Sequence, residues 1–255
     1  MTTLDLLLFS NSTNAGRGYL EHAQEEVADF LAGVNELLFV PFALQDHEAY
    51  TTKVGAALAS LGVRVIGLHS SADPAAAVAS AEAVFVGGGN TFRLVSTLQR
   101  TGLLGQIRAA AQSGIRYMGA SAGTNIAAPT IRTTNDMPIV EPPSFEALGL
   151  VPFQINPHYL DAVPGSTHAG ETREMRLTEF LEENDVAVLG LREGSHLRVT
   201  GTPGEPSLKA RLGGEAVTAG RAPGITFRRG YAPEETSGEV TGLWDLGARY
   251  DDSQS

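Results

Sequence analysis

Short apolar segments alternate with amphipathic segments along the first two-thirds of the chain. The apolar segments have the length and composition of buried β-strands, and apolar residues recur at helical spacing in the segments between them. Such an alternation is typical of a parallel sheet whose two faces are covered by helices. The predicted strands are Leu4–Ser10, Glu36–Ala43, Val63–His69, Ala83–Val86 and Ile115–Ala120, and the predicted helices are Tyr19–Leu31, His47–Leu61, Thr91–Gln99 and Leu104–Gln112.

The last third of the chain has a different pattern. Glu171–Glu183 predicts one more helix, and Val186–Leu191 predicts one more strand. After about His196, short strand-like segments are separated by Gly and Pro, which favours antiparallel strands at one edge of the domain. These segments have the sequences HLRVTG, SLKARLG, EAVTAG and ITFRRG. The pattern as a whole predicts an α/β fold with a mostly parallel sheet and a short antiparallel C-terminal edge.

The chain shows neither an internal repeat nor a linker that would separate two domains. A length of 255 residues is compatible with one large α/β domain. We therefore predict a single domain over residues 1–249. Residues 250–255 are polar, and we predict that they form a disordered tail.

The charge balance bears on the class of partner. The net charge is −11, whereas nucleic acids and anionic membranes are bound by clustered Lys and Arg. We therefore expect no nucleic acid and no membrane as a partner. An acidic substrate would need a local cation in its pocket, because the overall field of the protein repels it.

The chain contains no cysteine, which excludes a disulfide framework, a Cys-zinc site and a Cys nucleophile. The N-terminus has no basic region followed by a long apolar segment, and no apolar stretch reaches the roughly 18 residues that a spanning helix needs. These features lead us to expect a cytoplasmic protein.

The segment Gly119–Gly123, with the sequence GASAG, matches the nucleophile-elbow pattern G-x-S-x-G. A predicted strand leads into it, and Ala122–Ala128 predicts the start of a helix. Such a turn lifts Ser121 out of the sheet and places the backbone N–H of Ala122 at a helix N-terminus, ready to stabilise an oxyanion. An ordinary Gly-rich turn is the alternative, and the strand-to-helix context favours the nucleophile.

Three glycines followed by Asn90 form a second candidate motif between a predicted strand and a helix. Gly87, Gly88 and Gly89 allow unusual backbone angles and close approach to a ligand. They could supply a second oxyanion donor, cradle a phosphate or form a simple tight turn. Neither phosphate-binding pattern, G-x-x-x-x-G-K-[ST] or G-x-G-x-x-G, is present here, so a phosphate is disfavoured.

A serine nucleophile needs a base, and six histidines are available. His158 follows a short apolar segment, at the predicted C-terminal end of a strand, where α/β sheets place their sites. This position favours His158 as the base, against a packed or solvent-facing histidine. The other five histidines are His22 and His47 in predicted helices, His69 at a strand end, His168 and His196.

A carboxylate is expected to orient the imidazole. Asp136 lies in a polar loop between Ser121 and His158, and Glu193 closely follows an apolar strand. Either residue could reach the histidine, and either could be a solvated loop acid or a turn former.

With these motifs the chain resembles peptidase E, the aspartyl dipeptidase family. The resemblance runs nearly the whole length of the chain, and after about His196 the chain carries additional Gly- and Pro-rich length. Thr130–Val140 is its longest and most distinctive segment. The matching segments are LLLFSNST from Leu6, FVPFA from Phe39, VGGGNTF from Val86, GASAG from Gly119, TIRTTNDMPIV from Thr130, QINPH from Gln154 and GETRE from Gly170.

The resemblance implies a flavodoxin-like three-layer sandwich related to class I glutamine amidotransferases. It implies Ser121 as nucleophile and His158 as base. It allows Asp136 or Glu193 as the third member, and we favour Asp136 because it lies within Thr130–Val140. Arg173 is the implied clamp for the side chain of the substrate aspartate, which would meet the need for a local cation.

The implied activity is that of a serine peptidase that hydrolyses dipeptides with an N-terminal aspartate through an aspartyl-enzyme intermediate. The oxyanion would be held by the N–H of Ala122 and by that of Gly88 or Gly89, with no metal and no organic cofactor. We expect a small peptide substrate and a monomer or homodimer. Two alternatives remain: a cyanophycinase-like hydrolase of branched aspartyl-arginine peptides, and a non-catalytic binding module on the same fold.

Overall fold

The computed structural model describes residues 2–162 and 170–251, which form two β-sheets and the helices that cover them. The strands are β1 Leu4–Phe9, β2 Glu36–Val40, β3 Arg64–Gly67, β4 Ala83–Val86, β5 Arg116–Ala120, β6 Gln154–Tyr159, β7 Val188–Arg192, β8 Ser195–Gly201, β9 Lys209–Gly214, β10 Gly224–Phe227 and β11 Glu234–Thr236. The α-helices are α1 Gln24–Phe30, α2 His47–Leu58, α3 Pro74–Ala79, α4 Thr91–Arg100, α5 Leu103–Gln112, α6 Ala122–Asn125 and α7 Arg173–Glu183.

The large sheet has the strand order β3-β2-β4-β5-β1-β8-β9. Its first five strands in this order are parallel, β8 pairs antiparallel with β1, and β9 pairs antiparallel with β8. The prediction of an α/β fold with a mostly parallel sheet and an antiparallel edge is therefore confirmed.

The central strands of the large sheet are buried on both faces, which explains their continuous apolar sequences. In β1, Leu6 and Leu8 pack in one hydrophobic cluster, whereas Leu7 and Phe9 pack in a second cluster. All four side chains are fully buried. Burial of one such side chain stabilises the fold by about 1.5–3 kcal/mol, so both helical layers contribute to the free energy of folding.

The small sheet has the strand order β11-β10-β7-β6. The strands β6 and β7 are parallel, and β10 pairs antiparallel with both β7 and β11. Its own hydrophobic cluster includes residues of α7 and consists of Tyr159, Leu177, Leu181, Val188, Ile225 and Phe227. The small sheet therefore packs against α7 through a cluster of its own, whereas Ile155, Leu189 and Leu191 belong to the main hydrophobic cluster.

The C-terminal third differs from the prediction in its strand pairing. HLRVTG and SLKARLG form β8 and β9 at the predicted antiparallel edge, but ITFRRG contributes β10 to the small sheet. EAVTAG forms no strand. Strand-like composition indicates where strands occur but does not specify their partners, so the second sheet was not foreseen.

Two elements of the first 80 residues also differ. The predicted helix Tyr19–Leu31 is shortened to α1, preceded by a 3₁₀ turn at Glu21–Ala23. Helix α3 was not predicted, although its start has a readable signal. The Asp73 side chain accepts a hydrogen bond from the N–H of Ala76 (3.0 Å), and Pro74 occupies the first helical position.

The disordered tail stays a prediction, although Tyr250 and Asp251, its first two residues, form hydrogen bonds. The Tyr250 hydroxyl accepts a hydrogen bond from Gln154 Nε2 (3.0 Å), and the Asp251 N–H donates to Asn184 Oδ1 (3.3 Å). Residues 252–255 lie outside the described residues, and the assignment of residues 1–249 to one domain stays a prediction.

In the described ranges, no helix has the length and apolar character to cross a membrane.

Candidate active site

Ser121 occupies the turn between β5 and α6. Its backbone has φ 54° and ψ −109°, a conformation that is rare for a residue other than glycine and costs about 1–3 kcal/mol. The turn is held on both sides, because the Ser121 N–H donates to the Phe9 carbonyl (3.1 Å) and the Ser121 carbonyl accepts from the Asn125 N–H (2.8 Å). The structure thus contains the strained strand-to-helix turn that the GASAG motif predicts.

The two glycines of this motif are required for steric reasons. A Cβ on Gly119 would lie 2.6 Å from the Gly123 carbonyl oxygen, and a Cβ on Gly123 would collide with the Val86 carbonyl on β4. The Tyr117 hydroxyl donates to the same Gly123 carbonyl (2.7 Å). Because these residues are small, α6 lies directly against β4 and β5, which fixes the position of Ser121.

His158 is brought to Ser121 by an irregularity in the small sheet. The pairing of β6 with β7 shifts register between Asn156 and Tyr159, and His158 has a left-handed backbone with φ 54°. Its N–H donates to Ser10 Oγ (2.9 Å). Its imidazole Nε2 is 2.9 Å from Ser121 Oγ. The irregularity thus redirects the histidine at the strand end, as β-bulges near active sites do.

Glu193 follows β7 and completes a chain of hydrogen bonds. Its Oε1 is 2.6 Å from His158 Nδ1. An ionised carboxylate only accepts, so we assign the imidazole proton to Nδ1, which leaves Nε2 to accept the Ser121 hydroxyl proton. The side chains of His158 and Glu193 are 37% and 35% exposed, so the pair is open on one side to a bound molecule.

Asp136, which we favoured as the partner of the histidine, is engaged elsewhere. Its Oδ2 accepts hydrogen bonds from the Thr91 N–H (2.7 Å) and the Thr91 hydroxyl (2.6 Å), at the N-terminus of α4. This position suits a carboxylate because the helix dipole and the free N–H groups attract negative charge. Glu193, and not the favoured Asp136, therefore contacts the imidazole, and which of the two is the third catalytic residue stays a prediction.

The glycine loop lies beside Ser121. A Cβ on Gly88 would lie 3.0 Å from the Ser121 Cβ, and Gly89 has φ 134°, which only glycine adopts readily. The N–H groups of the residues that flank Gly88 and Gly89 are already hydrogen-bonded. The Gly87 N–H donates to the Val40 carbonyl, and the Asn90 N–H donates to the Ala43 carbonyl. Among the described residues, the N–H groups of Gly88 and Gly89 make no such backbone bond.

The Gly88 N–H has a competing partner in the hydroxyl of Tyr50. Burial raises the pKa of Tyr50, and hydrogen bonds from the Tyr19 hydroxyl and the Gly88 N–H partly offset this effect. The hydroxyls of Tyr19 and Tyr50 are 3.1 Å apart. Gly89 is therefore the freer of the two glycine donors.

Arg173 is the first residue of α7 and is half-buried. Burial lowers the pKa of its guanidinium, the nearby charge of Arg176 lowers it further, and Asp136 opposes both effects. Within the described ranges, the guanidinium has neither a hydrogen bond nor an ion pair. The structure thus brings a cation with unused donors close to the carboxylate of Asp136, which is itself anchored at the glycine-loop end of α4.

Four other histidines lie away from Ser121. His69 Nε2 is 3.1 Å from Glu48 Oε2, and the His47 ring packs at 5.5 Å from the His69 ring. His22 and His196 both contact the ring of Phe9, and burial lowers the pKa of each. His168 lies outside the described residues.

Sequence reasoning missed a buried ionic cluster next to the histidine. The Arg192 side chain is 1% exposed and makes paired hydrogen bonds to the carboxylates of Asp161 (2.8 and 2.7 Å) and Glu235 (2.8 and 2.9 Å). Burial alone would lower the pKa of Arg192, but these carboxylates raise it above its usual range. The readable signal was a charged residue at the end of the apolar strand VAVLGLR.

The chain was compared with known proteins. Residues 6–205 match the model of peptidase family S51. Peptidase E of Streptomyces coelicolor is 59% identical over 250 residues, which are 97% of this chain and 98% of the relative. A probable alpha-aspartyl dipeptidase of Drosophila melanogaster is 54% identical over 200 residues, which are 77% of this chain and 83% of the relative.

A solved structure supports the fold. The crystal structure of a peptidase from an acI-B1 actinobacterium has a TM-score of 0.62 and 18% identity, and the match covers 92% of this chain and 95% of that chain.

The additional C-terminal length is shared with the Streptomyces relative, whose alignment includes nearly the whole chain. With a family model matched over most of its length and relatives of more than 50% identity, the chain belongs to peptidase family S51.

Proposed function

We propose that this protein is a serine dipeptidase that removes an N-terminal aspartate from dipeptides, with Ser121, His158 and Glu193 as its catalytic triad. The observation that carries the proposal is the continuous chain of hydrogen bonds from Ser121 Oγ through the His158 ring to Glu193 Oε1, at 2.9 and 2.6 Å. Family membership and the names of the relatives support the peptidase chemistry.

The triad acts through two proton transfers in each half of the reaction. His158 Nε2 takes the hydroxyl proton as Ser121 Oγ forms a bond to the scissile carbonyl carbon. The imidazolium then gives that proton to the leaving amine as the C–N bond breaks, which leaves an aspartyl ester on Ser121. Water attacks the ester with His158 again as base, and the aspartate leaves as its free acid while the serine recovers its proton.

Glu193 supports both steps through the imidazole. Its carboxylate holds the Nδ1–H tautomer, so that Nε2 faces the serine unprotonated. It also stabilises the imidazolium that forms when His158 takes a proton in each half of the reaction. The Ala122 N–H at the start of α6, together with the N–H of Gly89 or Gly88, is suited to hold the negative oxygen of the tetrahedral intermediate.

Arg173 is the proposed reader of the substrate's side-chain carboxylate. A guanidinium grips a carboxylate with two parallel hydrogen bonds. The burial of Arg173 and its unused donors within the described ranges support this role. Asparagine would present an amide donor to a group that has only donors, and glutamate would place the scissile carbonyl one methylene away from its best position.

The two alternatives are less well supported. A non-catalytic binding module has no need of a strained serine hydrogen-bonded to a His–Glu pair. A cyanophycinase-like hydrolase would use the same serine but would act on branched aspartyl-arginine peptides. Comparing the rate of hydrolysis of Asp-Leu with that of cyanophycin distinguishes the two activities directly.

The specificity is tested by replacing Arg173. We expect Asp-Leu to be cleaved and Asn-Leu and Glu-Leu to be poor substrates. Arg173→Met is expected to lower kcat/KM for Asp-Leu by about 10²-fold, since it removes a charge-assisted bidentate contact. Labelling of Ser121 by a neutral fluorophosphonate should be nearly unchanged in this variant.

Arg176→Met is the matched control for this experiment. Arg176 lies on the same helix, is exposed, and its Nε forms an ion pair with Glu171 (3.2 Å). We expect kcat/KM for Asp-Leu in this variant to stay within about two-fold of the parent. If Arg173→Met keeps the strong preference for aspartate, another residue reads the carboxylate and the assignment of Arg173 is wrong.

A further inference from the structure

Three consecutive residues at the carboxyl end of β1 each contact a different part of the site. The nucleophile belongs to the large sheet, whereas the histidine and the glutamate come from the small sheet. The end of β1 therefore lies where the two sheets must be aligned. Its contacts are the Phe9 carbonyl with the Ser121 N–H (3.1 Å), Ser10 Oγ with the His158 N–H (2.9 Å), and Asn11 Oδ1 with the Gly194 N–H (2.8 Å).

The Ser10 hydroxyl both donates and accepts a hydrogen bond in this position. The side chain is fully buried, and its Oγ donates to the Leu191 carbonyl (2.7 Å) while accepting from the His158 N–H (2.9 Å). Leu191 belongs to β7 and His158 to β6, at the point where the pairing of these two strands loses its register. The hydroxyl thus replaces a missing ladder contact and ties both strands to β1.

Asn11 holds the turn that carries Glu193. It is 2% exposed, and its Oδ1 accepts from the N–H of Gly194, which has φ 86° in the turn between β7 and β8. Its Nδ2 donates to the Thr13 carbonyl (3.0 Å) and to Asn14 Oδ1 (2.6 Å), which fixes the amide orientation. The position of the glutamate is thereby linked to the end of β1.

We propose that Ser10 and Asn11 are positioning residues for the triad, an inference that rests on the function proposed above. Neither residue touches the reacting atoms. Ser10 fixes the backbone of His158, and Asn11 fixes the residue that follows Glu193, so that both meet Ser121 in register. A displacement of about 1 Å in reacting groups can lower the rate about 10²-fold, so small losses of alignment are measurable.

Ser10→Ala tests the proposal against a matched control, Ser195→Ala. Both serines are fully buried, but Ser195 Oγ has no hydrogen-bond partner among the described residues. We expect Ser10→Ala to lower kcat for Asp-Leu by about 10- to 100-fold with KM within about two-fold of the parent. Ser195→Ala should leave both constants unchanged, since it removes an unpaired hydroxyl.

A readout independent of turnover is the downfield proton resonance of the His158–Glu193 hydrogen bond. It is identified by its absence in His158→Ala. We expect Ser10→Ala to shift or broaden this resonance and Ser195→Ala to leave it in place. Because the resonance is measured without substrate, it reports on alignment even if the protein proves to have a different substrate.

Asn11 supplies a second, independent pair of variants. Asn11→Asp keeps an oxygen that can accept from the Gly194 N–H, and it should retain more of kcat than Asn11→Ala does. An unchanged resonance in both Ser10→Ala and Asn11→Ala overturns the proposal, whatever happens to kcat. Failure of Asp-Leu hydrolysis in the parent protein, with the resonance still sensitive to Ser10, would instead count against the proposed substrate.

Discussion

The two sheets hold their parts of the site by different physical means. The large sheet presents Ser121 from a turn fixed by close backbone packing, where Gly119 and Gly123 allow contacts that a side chain would prevent. The small sheet presents His158 and Glu193 from strand ends whose pairing is irregular. There, alignment depends on polar side chains that bridge chain segments far apart in sequence.

The comparison shows why the two sides of the site respond differently to change. Steric fit at a glycine is a local property, and it is set by a few neighbouring backbone atoms. The ion pairs of Arg192 with Asp161 and with Glu235 join residues that are 31 and 43 positions apart in the sequence. They form only when the chain segments that carry these residues are all folded in their native positions. Perturbing each side separately tests this distinction.

The largest expected effect comes from removing the nucleophile. Ser121→Ala should lower kcat for Asp-Leu by about 10⁴- to 10⁶-fold, because no other group can form the acyl intermediate. The melting temperature should fall little or rise, since alanine also fits a small turn position. Circular dichroism and thermal melting serve as the folding control, and normal turnover by a folded variant would refute the serine mechanism.

The next largest effect on kcat is expected from replacing one of the two candidate carboxylates, Glu193 and Asp136. Glu193→Gln should lower kcat by about 10³- to 10⁴-fold, since an amide can present a donor to His158 and favour the wrong tautomer. Asp136→Asn should lower kcat by less than about ten-fold, because Asp136 bonds to Thr91 rather than to the imidazole. Steady-state kinetics on Asp-Leu decide the matter, and the reverse ranking would return the third position to Asp136.

The smallest expected effect is on the stability of the protein, and it concerns an ion pair of the small sheet, between Arg192 and Asp161. The hydrogen bond from Arg192 is the main reason why the pKa of Asp161 lies below its usual value. When folding lowers the pKa of a carboxyl group, that group stabilises the protein at pH values above its pKa in the unfolded chain. This contribution is lost as the pH falls through the lower pKa of the folded protein. The loss from this pair should therefore occur below about pH 4.

Arg192→Met provides the test. It leaves Asp161 and Glu235 without their buried partner, and we expect the free energy of unfolding at pH 7 to fall by about 3 kcal/mol. Arg228→Met is the control, since its 3.6 Å contact with Glu234 is more exposed, and it should cost less than about 1 kcal/mol. In denaturant melts, the stability difference between parent and Arg192→Met should be smaller at pH 3 than at pH 7, and an equal difference at both pH values would contradict the linkage.

Patterns within single segments were enough to predict the parallel strands of the large sheet and the nucleophile turn. The apolar strands, the glycines around Ser121 and the position of His158 at a strand end are properties of short segments, so local patterns express them. The same reasoning found Glu193 and Asp136 as candidates, because each is a polar residue at the right kind of place. Position alone left both open, and the preference for Asp136 came from its place within Thr130–Val140.

How those segments meet becomes visible only in the folded protein. The separation into two sheets, the contact of Glu193 with His158 and the burial of Arg192 depend on which strands pair and in which register. Composition does not specify these pairings, since the free energy of a strand contact depends on both partners and on what covers them. The contact of Asp136 is an example, because the donors that it binds belong to Thr91 of α4, 45 positions earlier in the chain.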